Sequence, residues 1–310
     1  MNERPGRTTS AARPTGGGSL LTTRDLALAM GVSESSIKRW ADEGEIRAAR
    51  TVGGHRRIPL PEALRFVRER GLALPHAELL GLTDVATLRA GPIAGDDASA
   101  FRELLLAGDE VRSRGLLQSL FLSGMSVAAI LDGPVRLAMA EIGELWHGDP
   151  RGILLEHRAT DLCARALHQL RAFLPEPAPD APVAAGGALD DDPYVLGSLA
   201  AATTLAAEGY RAVNLGAATP AATLEDAART FGAALLWVSV ASTPEPERLP
   251  AVLAELATAV APLGAEVIAG GPALDPETLP QLANLHGGRS MEDLCVFARS
   301  LAPALAQRRG

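Results

Sequence analysis

The sequence predicts a multidomain chain, with a winged helix-turn-helix first, a four-helix bundle next and a doubly wound, Rossmann-like α/β domain last. Three observations predict it. Two short amphipathic helices and a basic hairpin occupy residues 19–75, and four helical segments occupy residues 97–174. After a proline-rich stretch, short apolar strands alternate with helices. That alternation is typical of parallel βαβ units in one sheet.

Composition limits the class of protein. The chain has 310 residues and is 47% hydrophobic, enough for two or three domains with real cores. No apolar run reaches the roughly 18 residues of a membrane span, and the N-terminus lacks the apolar segment of a secretory signal. Cys163 and Cys295 have no metal-type spacing. We therefore expect a cytoplasmic protein without a membrane partner.

Charge divides the chain unevenly. Residues 1–75 carry 13 basic and 8 acidic side chains, whereas the remainder carries 16 and 29, for a net charge of −8. A small basic module joined to a large acidic body is typical of a DNA reader attached to a regulatory domain.

Changes in composition and periodicity predict the domain boundaries. The predicted segments are a disordered tail at 1–18, the winged module at 19–75, a linker at 76–96, the bundle at 97–174, a linker at 175–182 and the α/β domain at 183–310. Within the bundle, helices are expected over 97–108, 110–123, 126–147 and 153–174.

The first two helices form a predicted DNA-reading unit. Thr22 or Thr23 caps the first helix, Gly31 begins the turn, and Ser33 caps a second helix. One side of this second helix is polar and suits the major groove. Its candidate DNA-binding residues are Ser35, Ser36, Lys38 and Arg39.

A basic hairpin follows. Gly53 and Gly54 permit a tight turn, and the basic residues around them can straddle a phosphate backbone. The candidate contacts are Arg50, His55, Arg56 and Arg57. Turn, helix and Gly-Gly-His-Arg-Arg hairpin together resemble the winged helix-turn-helix of the MerR family over residues 19–72, which implies binding to double-stranded operator DNA.

Two pairs of residues stand out in the bundle. Trp146-His147 precedes Glu156-His157, with nine residues between Trp146 and Glu156, and the spacing places all four at one edge of the bundle. With the domain order, this pattern resembles the CarH/LitR photoreceptor repressors. The resemblance implies adenosylcobalamin, with Trp146 and Glu156 at the adenosyl group, His157 beside them and His147 as a possible cobalt ligand after photolysis.

The α/β domain supplies the other candidate ligand residues. Ser239 ends the third strand and Gly270-Gly271 follows the fourth, at the carboxyl ends where such sheets bind ligands. The resemblance implies that these positions line a tunnel for the nucleotide tail of cobalamin. It also aligns Asp192, Tyr194 and Gly197 with an Asp-x-His-x-x-Gly loop whose histidine binds cobalt from below.

Tyr194 departs from that pattern. A tyrosine hydroxyl has a pKa of about 10 and is a poor metal ligand at neutral pH, whereas imidazole is a good one. Histidine-ligated cobalamin is therefore not expected.

The sequence carries no phosphate-binding loop, nucleophile elbow or metal cluster, so no enzyme is predicted. The first hypothesis is a repressor that senses light through adenosylcobalamin without the lower histidine. The alternative is a cobalamin-independent repressor controlled by an antirepressor protein or by another chromophore such as a bilin or haem. A third is a constitutive, architectural DNA-binding protein. The resemblance also implies a homo-oligomer, either a dimer or a tetramer.

Overall fold

The computed structural model describes residues 20–92, 95–145 and 151–307. The fold class is confirmed, with a helix-turn-helix, a helical region and a parallel α/β domain in that order. The predicted tail at 1–18 and the residues Trp146 and His147 lie outside the described residues.

The DNA-reading unit begins with two capped helices, α1 (Thr23–Met30) and α2 (Glu34–Asp42). Thr22 caps α1 in a reciprocal capping box with Asp25, and both bonds measure 3.0 Å. Gly31 ends α1 in the left-handed conformation, and Ser33 accepts the Ser36 N–H to start α2. The predicted turn and caps are confirmed.

A small antiparallel sheet completes the module. Its strands are β1 (Leu20–Leu21), β2 (Ala49–Arg50) and β3 (Arg56–Pro59), in the order β1-β3-β2. The β2–β3 hairpin is the predicted wing, closed by the Gly54 N–H on the Thr51 carbonyl at 2.8 Å. Helix α3 (Leu60–Glu69) follows and packs Phe66 against Trp40, with ring centroids 5.1 Å apart.

The segment 76–96, predicted to be a linker, is corrected by the structure. It contains a 3-10 turn at Ala77–Leu80 and helix α4 (Thr83–Arg89). Leu82, at the start of α4, makes no side-chain cap, so packing holds the helix rather than local sequence. The second predicted linker, 175–182, contains no helix or strand.

The bundle contains the four predicted helical segments. They are α5 (Asp97–Ala107), α6 (Glu110–Leu122), α7 (Val127–Ile130) continuing into α8 (Arg136–Glu144), and α9 (Gly152–Arg171). Five residues between α7 and α8, Leu131–Val135, form a π-helical turn around Pro134. Proline has no N–H to donate to the hydrogen-bond ladder of an α-helix, and the backbone here takes the wider π-helical hydrogen-bond spacing instead.

Five parallel strands form the last domain, in the order β5-β4-β6-β7-β8. The strands are β4 (Val183–Ala188), β5 (Arg211–Asn214), β6 (Leu235–Ser239), β7 (Glu266–Gly270) and β8 (Leu285–Gly288). The helices are α10 (Leu196–Ala207), α11 (Ala221–Phe231), α12 (Leu249–Val260) and α13 (Met291–Gln307). Only β8 was absent from the predicted strands of this domain.

The cores show how the parts are joined. One hydrophobic core runs from Leu21 through the bundle to Leu174, and it includes Leu199 and Ala200 of α10. Two further cores cover the faces of the parallel sheet. None of the described helices combines the length and apolar content of a membrane span.

Candidate functional site

Helix α2 presents a polar face. Ser35, Lys38 and Arg39 are exposed, whereas Ile37 is fully buried beneath them. The predicted division of this helix into a core side and a polar side therefore exists in the structure. Lys38 is paired with Glu34 at 2.9 Å, one turn earlier on the same helix.

The serines at the start of α2 form a hydroxyl cluster. The Ser33 hydroxyl lies 2.7 Å from that of Ser35 and 2.9 Å from that of Ser36, which is half-buried. These hydroxyls thus bond each other at the N-terminus of the helix, where backbone N–H groups also favour an anion.

The wing lies beside the end of α2. Arg50 and His55 are exposed, whereas Arg56 and Arg57 are half-buried. Asp42, the last residue of α2, binds the Arg56 guanidinium and lies 3.5 Å from that of Arg50. Sequence reasoning missed Asp42, although an acidic residue ending a predicted recognition helix before a basic hairpin was a usable signal.

Asp192 joins two loops at the carboxyl edge of the parallel sheet. Its carboxylate is buried and accepts the Tyr194 N–H at 3.0 Å and the Ala241 N–H at 2.6 Å. Ala241 follows β6, so Asp192 ties the loop after β4 to the loop after β6. Asp192 therefore orders this edge from within the protein.

Tyr194 lies on that edge with half of its side chain exposed, at 50%. Gly197, near the start of α10, lies so close to β6 that a Cβ there would collide with the Ser239 hydroxyl. Ser239 itself is buried. Gly197 and Ser239 thus contact each other, and they set how closely α10 approaches the sheet.

The Gly270–Gly271 pair is also packed against protein atoms. A Cβ on Gly270 would lie 2.7 Å from the Gly288 carbonyl oxygen on β8. Gly271 has φ 136°, and a Cβ there would collide with the Val240 carbonyl oxygen. Both glycines are therefore required by neighbouring backbone at this edge.

The bundle residues divide into two groups. Glu156 is half-buried near the start of α9 and lies within 3.5 Å of the Thr160 hydroxyl, while His157 is exposed. Their partners in the prediction, Trp146 and His147, lie outside the described residues. Exposed apolar side chains flank that stretch on both sides, namely Leu145 before it and Ile153 and Leu154 after it.

A fully buried indole occupies the space between α10 and the sheet. Trp237 of β6 is 2% exposed, and its Nε1–H donates to the Ser198 hydroxyl at 3.1 Å. Ser198 in turn donates to the Asn214 side-chain oxygen at 2.7 Å. A Cβ on Gly186 of β4 would collide with both the Trp237 carbonyl oxygen and its indole ring, so Gly186 is required by the backbone and the side chain of Trp237.

These observations test whether the residues fit cobalamin. The edge, with half-exposed Tyr194 and exposed Val195, offers an apolar surface for a flat ring. The interior does not fit a nucleotide tail, because Trp237 fills the cleft between α10 and the sheet. Among the described residues, no group of three or more histidine, cysteine, aspartate or glutamate side chains is arranged to hold a metal ion.

Arg68 joins the DNA-reading module to the bundle. Its guanidinium donates to the Phe121 carbonyl at 2.6 Å and to the Met125 carbonyl at 3.0 Å, at the end of α6. It also stacks 3.7 Å from the centre of the Phe121 ring. Burial lowers the pKa of Arg68. A cavity of about 330 Å³ opens beside it, lined also by Phe173 and by Glu208 of the α/β domain.

Asp132 joins the bundle to the α/β domain. Its carboxylate, in the π-helical turn, accepts the Met291 N–H at 2.9 Å and the Glu292 N–H at 3.0 Å. These are two of the unpaired donors at the start of α13, so a bundle residue caps a helix of the neighbouring domain. Sequence reasoning found neither joint, since both depend on residues far apart in the chain.

Comparisons with known proteins agree with this architecture. A family described as a helix-turn-helix domain matches residues 20–71, and one described as a B12 binding domain matches residues 98–171, the bundle. The chain is 28% identical over 265 residues to the HTH-type transcriptional repressor CarA of Myxococcus xanthus, across 81% of this chain and 86% of that protein.

A solved structure agrees in fold. The monomethylamine corrinoid protein of Methanosarcina barkeri is similar with a TM-score of 0.51 and 15% identity, across 65% of this chain and 96% of that one. At this identity the likeness concerns the fold alone. The chain thus joins a helix-turn-helix domain to a B12 binding domain, and it is similar to the repressor CarA over most of its length.

Proposed function

We propose that this chain is a DNA-binding transcriptional repressor, not an enzyme, and that its bundle and α/β domain form a corrinoid-sensing half. The observation that carries the proposal is the exposed basic face of helix α2 and the wing, in a chain whose bundle matches a B12 binding domain. The name of the relative CarA supports the regulatory role.

Operator DNA is the proposed partner of that basic face. Lys38 and Arg39 lie on the exposed side of α2 and suit the major groove, while Arg50 and His55 extend from the wing toward the backbone phosphates. Ser35 and Ser36, at the N-terminus of α2, are proposed to contact a phosphate or a base edge. Asp42 holds Arg50 and Arg56 beside the helix, which orients the wing before DNA arrives.

The wing provides the direct test. Replacing both Arg56 and Arg57 with alanine should weaken binding to any duplex and reduce the slope of log affinity against log salt by about one unit per lost phosphate contact. Fluorescence anisotropy with a mixed-sequence duplex over a salt series measures both quantities. The matched control replaces the exposed Arg136 and Arg229, which removes the same charge outside the module. Equal slopes for the two variants would contradict the assignment.

For the sensing half we propose adenosylcobalamin as the ligand and light as the signal. Trp146 and Glu156 would contact the adenosyl group with His157 nearby, and His147 would be free to reach cobalt once light removes that group. The exposed apolar residues beside this stretch, Leu145 and Ile153 among them, support a ligand surface there. Oligomerisation as a dimer or tetramer belongs to the same proposal.

Spectra of the purified protein test this half. The chain is mixed with adenosylcobalamin in the dark, freed of excess ligand, and examined by visible absorption and gel shift before and after illumination. A retained corrinoid band that changes in light, together with lower DNA affinity, is expected. A protein that retains no corrinoid yet binds DNA would remove the ligand from the proposal and leave the repressor.

Tyr194 favours a second candidate. It occupies the position where a cobalt-binding histidine would be expected, which suits a repressor without cobalamin that answers to an antirepressor protein or to a bilin or haem. Absorption of the protein as isolated distinguishes the candidates, because bilin and haem have bands of their own. Co-purification of a colourless partner protein that releases DNA would support an antirepressor.

A further inference from the structure

The cleft between α10 and the parallel sheet is filled by the chain itself. Trp237 projects from the middle of β6, is 2% exposed, and lies across Gly186 of β4, where any side chain would collide with its ring. On the helix side, Ala201 and Ala202 belong to the same buried cluster. Small residues on both walls are therefore matched to one large aromatic between them.

Hydrogen bonds hold the indole in place. Its Nε1–H donates to Ser198, and Ser198 donates to the Asn214 side-chain oxygen, which also accepts the Gly216 N–H at 3.1 Å. The chain of bonds runs from β6 through α10 to the end of β5. Moving the indole would leave the buried Trp237 Nε1–H without its acceptor, so a side-chain rotation that opens the cleft is unfavourable.

We propose that Trp237 is a specificity-determining residue that excludes the nucleotide tail of cobalamin from this domain, so that the edge accepts a corrinoid ring whose tail stays outside the fold. The proposal rests on the proposed corrinoid-sensing function. An indole and the benzimidazole base of a cobalamin tail share a fused bicyclic frame of nearly equal size. Trp237 thus occupies, as part of the protein, the volume that such a base would need.

The consequence is a loss of discrimination between two ligands. Adenosylcobalamin and adenosylcobinamide have the same corrin ring and the same adenosyl group, but only the first carries the nucleotide tail. A tail that remains in solvent adds few contacts. We therefore expect the full chain to bind both in the dark with dissociation constants within about threefold of each other.

Equilibrium dialysis of the unmodified full chain against each compound is the first measurement. Dissociation constants within about threefold, or tighter binding of adenosylcobinamide, support the proposal. Tighter binding of adenosylcobalamin by about tenfold or more would overturn it, because that preference requires a bound tail. This measurement needs no variant and is independent of any loss of folding.

Variants then test the residue itself. Trp237→Ala opens the cleft and should shift the preference toward adenosylcobalamin by about tenfold, whereas Trp237→Phe keeps most of the volume and should leave the preference unchanged. Leu235→Ala is the matched control, since it removes side-chain volume from the same strand and core but leaves the indole present. An unchanged preference in a folded Trp237→Ala variant would refute the role of Trp237.

Failure of the inference and failure of the proposed function give different results. If the parent binds both compounds but prefers adenosylcobalamin by about tenfold, the inference fails while the corrinoid-sensing half stands. If parent and folded variants all fail to bind both compounds, the inference and the corrinoid-sensing half fall together. DNA binding, measured on the same samples, reports separately on the repressor.

Discussion

Asp42 shows how one acidic residue can organise a basic surface. It ends the recognition helix α2 and draws Arg50 and Arg56 of the wing toward it, in exposed or half-exposed pairs. Pairs of this kind stabilise a fold by about 0–1 kcal/mol, so the main effect of Asp42 is on the electrostatic field near DNA. Its carboxylate lies beside the arginines that are proposed to bind phosphates, and its negative charge repels those phosphates.

Replacing Asp42 with asparagine should therefore strengthen DNA binding. Removing one unit charge about 4 Å from a phosphate is worth about 1 kcal/mol in water, or roughly a fivefold gain in affinity at low salt. Anisotropy titrations with a mixed-sequence duplex measure the gain, and Asp226→Asn on α11 provides a control for net charge. Weaker binding by the Asp42 variant would mean that orienting the wing outweighs repulsion.

Glu62 is a buried acid with a structural role. Burial raises its pKa, but hydrogen bonds from the Arg65 guanidinium and the Arg47 N–H outweigh this effect and leave the pKa below its usual value of 4.5. A carboxylate with a lowered pKa stabilises the fold above the unfolded pKa, and this stability is lost as the pH falls through the folded pKa.

We expect Glu62→Gln to lower the free energy of unfolding by about 1–3 kcal/mol at neutral pH, since Arg65 loses its buried partner. Thermal unfolding over a series of pH values below 7 measures the difference, which should shrink as the pH falls through the lowered pKa of folded Glu62, because the parent's carboxyl then becomes protonated. Glu69→Gln is the control, because Glu69 binds the same Arg65 from an exposed position. If the difference in stability between the parent and Glu62→Gln does not change with pH, the ionised Glu62 carboxylate is not the source of the stabilisation.

At the scale of elements, the sequence predicted what depends on local pattern. The caps of α1 and α2, the wing, the bundle helices and four of the five parallel strands follow from periodicity, capping residues and glycine turns. Helix α4 was missed because it has seven residues and no capping side chain. The tertiary contact that holds it lies on α6, more than twenty residues later in the chain.

Gly115 makes that contact. Helix α4 crosses α6 so closely that a Cβ on Gly115 would collide with the Asp84 carbonyl oxygen, and Arg114 binds the Asp84 carboxylate at 2.8 Å beside it. Two of the residues that fix α4 thus follow each other on α6. The helix is an attachment between the module and the bundle rather than a flexible tether.

Gly115→Ala should force α4 away from α6 and cost about 1–3 kcal/mol, in spite of the better helix propensity of alanine. Urea unfolding measures the loss of stability. Limited proteolysis measures whether cleavage within α4, residues 83–89, becomes faster. The control is Gly143→Ala in α8, where a Cβ would meet nothing within 4 Å and should be neutral or stabilising by up to about 1 kcal/mol. Equal behaviour of the two variants would contradict the close packing.

For the whole molecule, the described residues form three parts, and two side-chain joints are among the contacts that hold them together. Arg68 fastens the DNA-reading module to the end of α6, and Asp132 fastens the bundle to the start of α13. Both joints lie on the stretch of bundle from α6 to the π-helical turn. A movement of this stretch would therefore change its contacts with the DNA-reading module and with the α/β domain.

Arg68→Ala should loosen the first joint without unfolding either part. It removes two hydrogen bonds and a ring contact and enlarges the neighbouring cavity, so hydrogen exchange should rise in α3 and at the end of α6. Arg70→Ala, directly after the same helix but paired with Glu45, serves as the control. Unchanged exchange at both elements would show that the shared core alone fixes the module.

The candidate site was predicted less completely than the fold. Strand ends pointed to Ser239 and the Gly270–Gly271 pair, and the family resemblance pointed to Asp192 and Gly197. These positions lie at or beside the carboxyl edge of the sheet. Their contacts are with one another or with neighbouring backbone, which spacing alone does not reveal. Trp237 was not singled out, because an aromatic in an apolar run is typical of any buried strand.

The continuous core between the DNA-reading module and the bundle limits how the chain can be taken apart. A fragment ending near residue 75 would lose Ala77, Leu80, Val85 and Leu88, all buried in that core, and would expose the apolar surface they cover. A fragment starting at the bundle would expose the matching face of α6. The DNA-reading module of this protein is therefore poorly suited to fusion with other sensor domains unless the fused fragment also includes α3, α4 and the part of α6 that they contact.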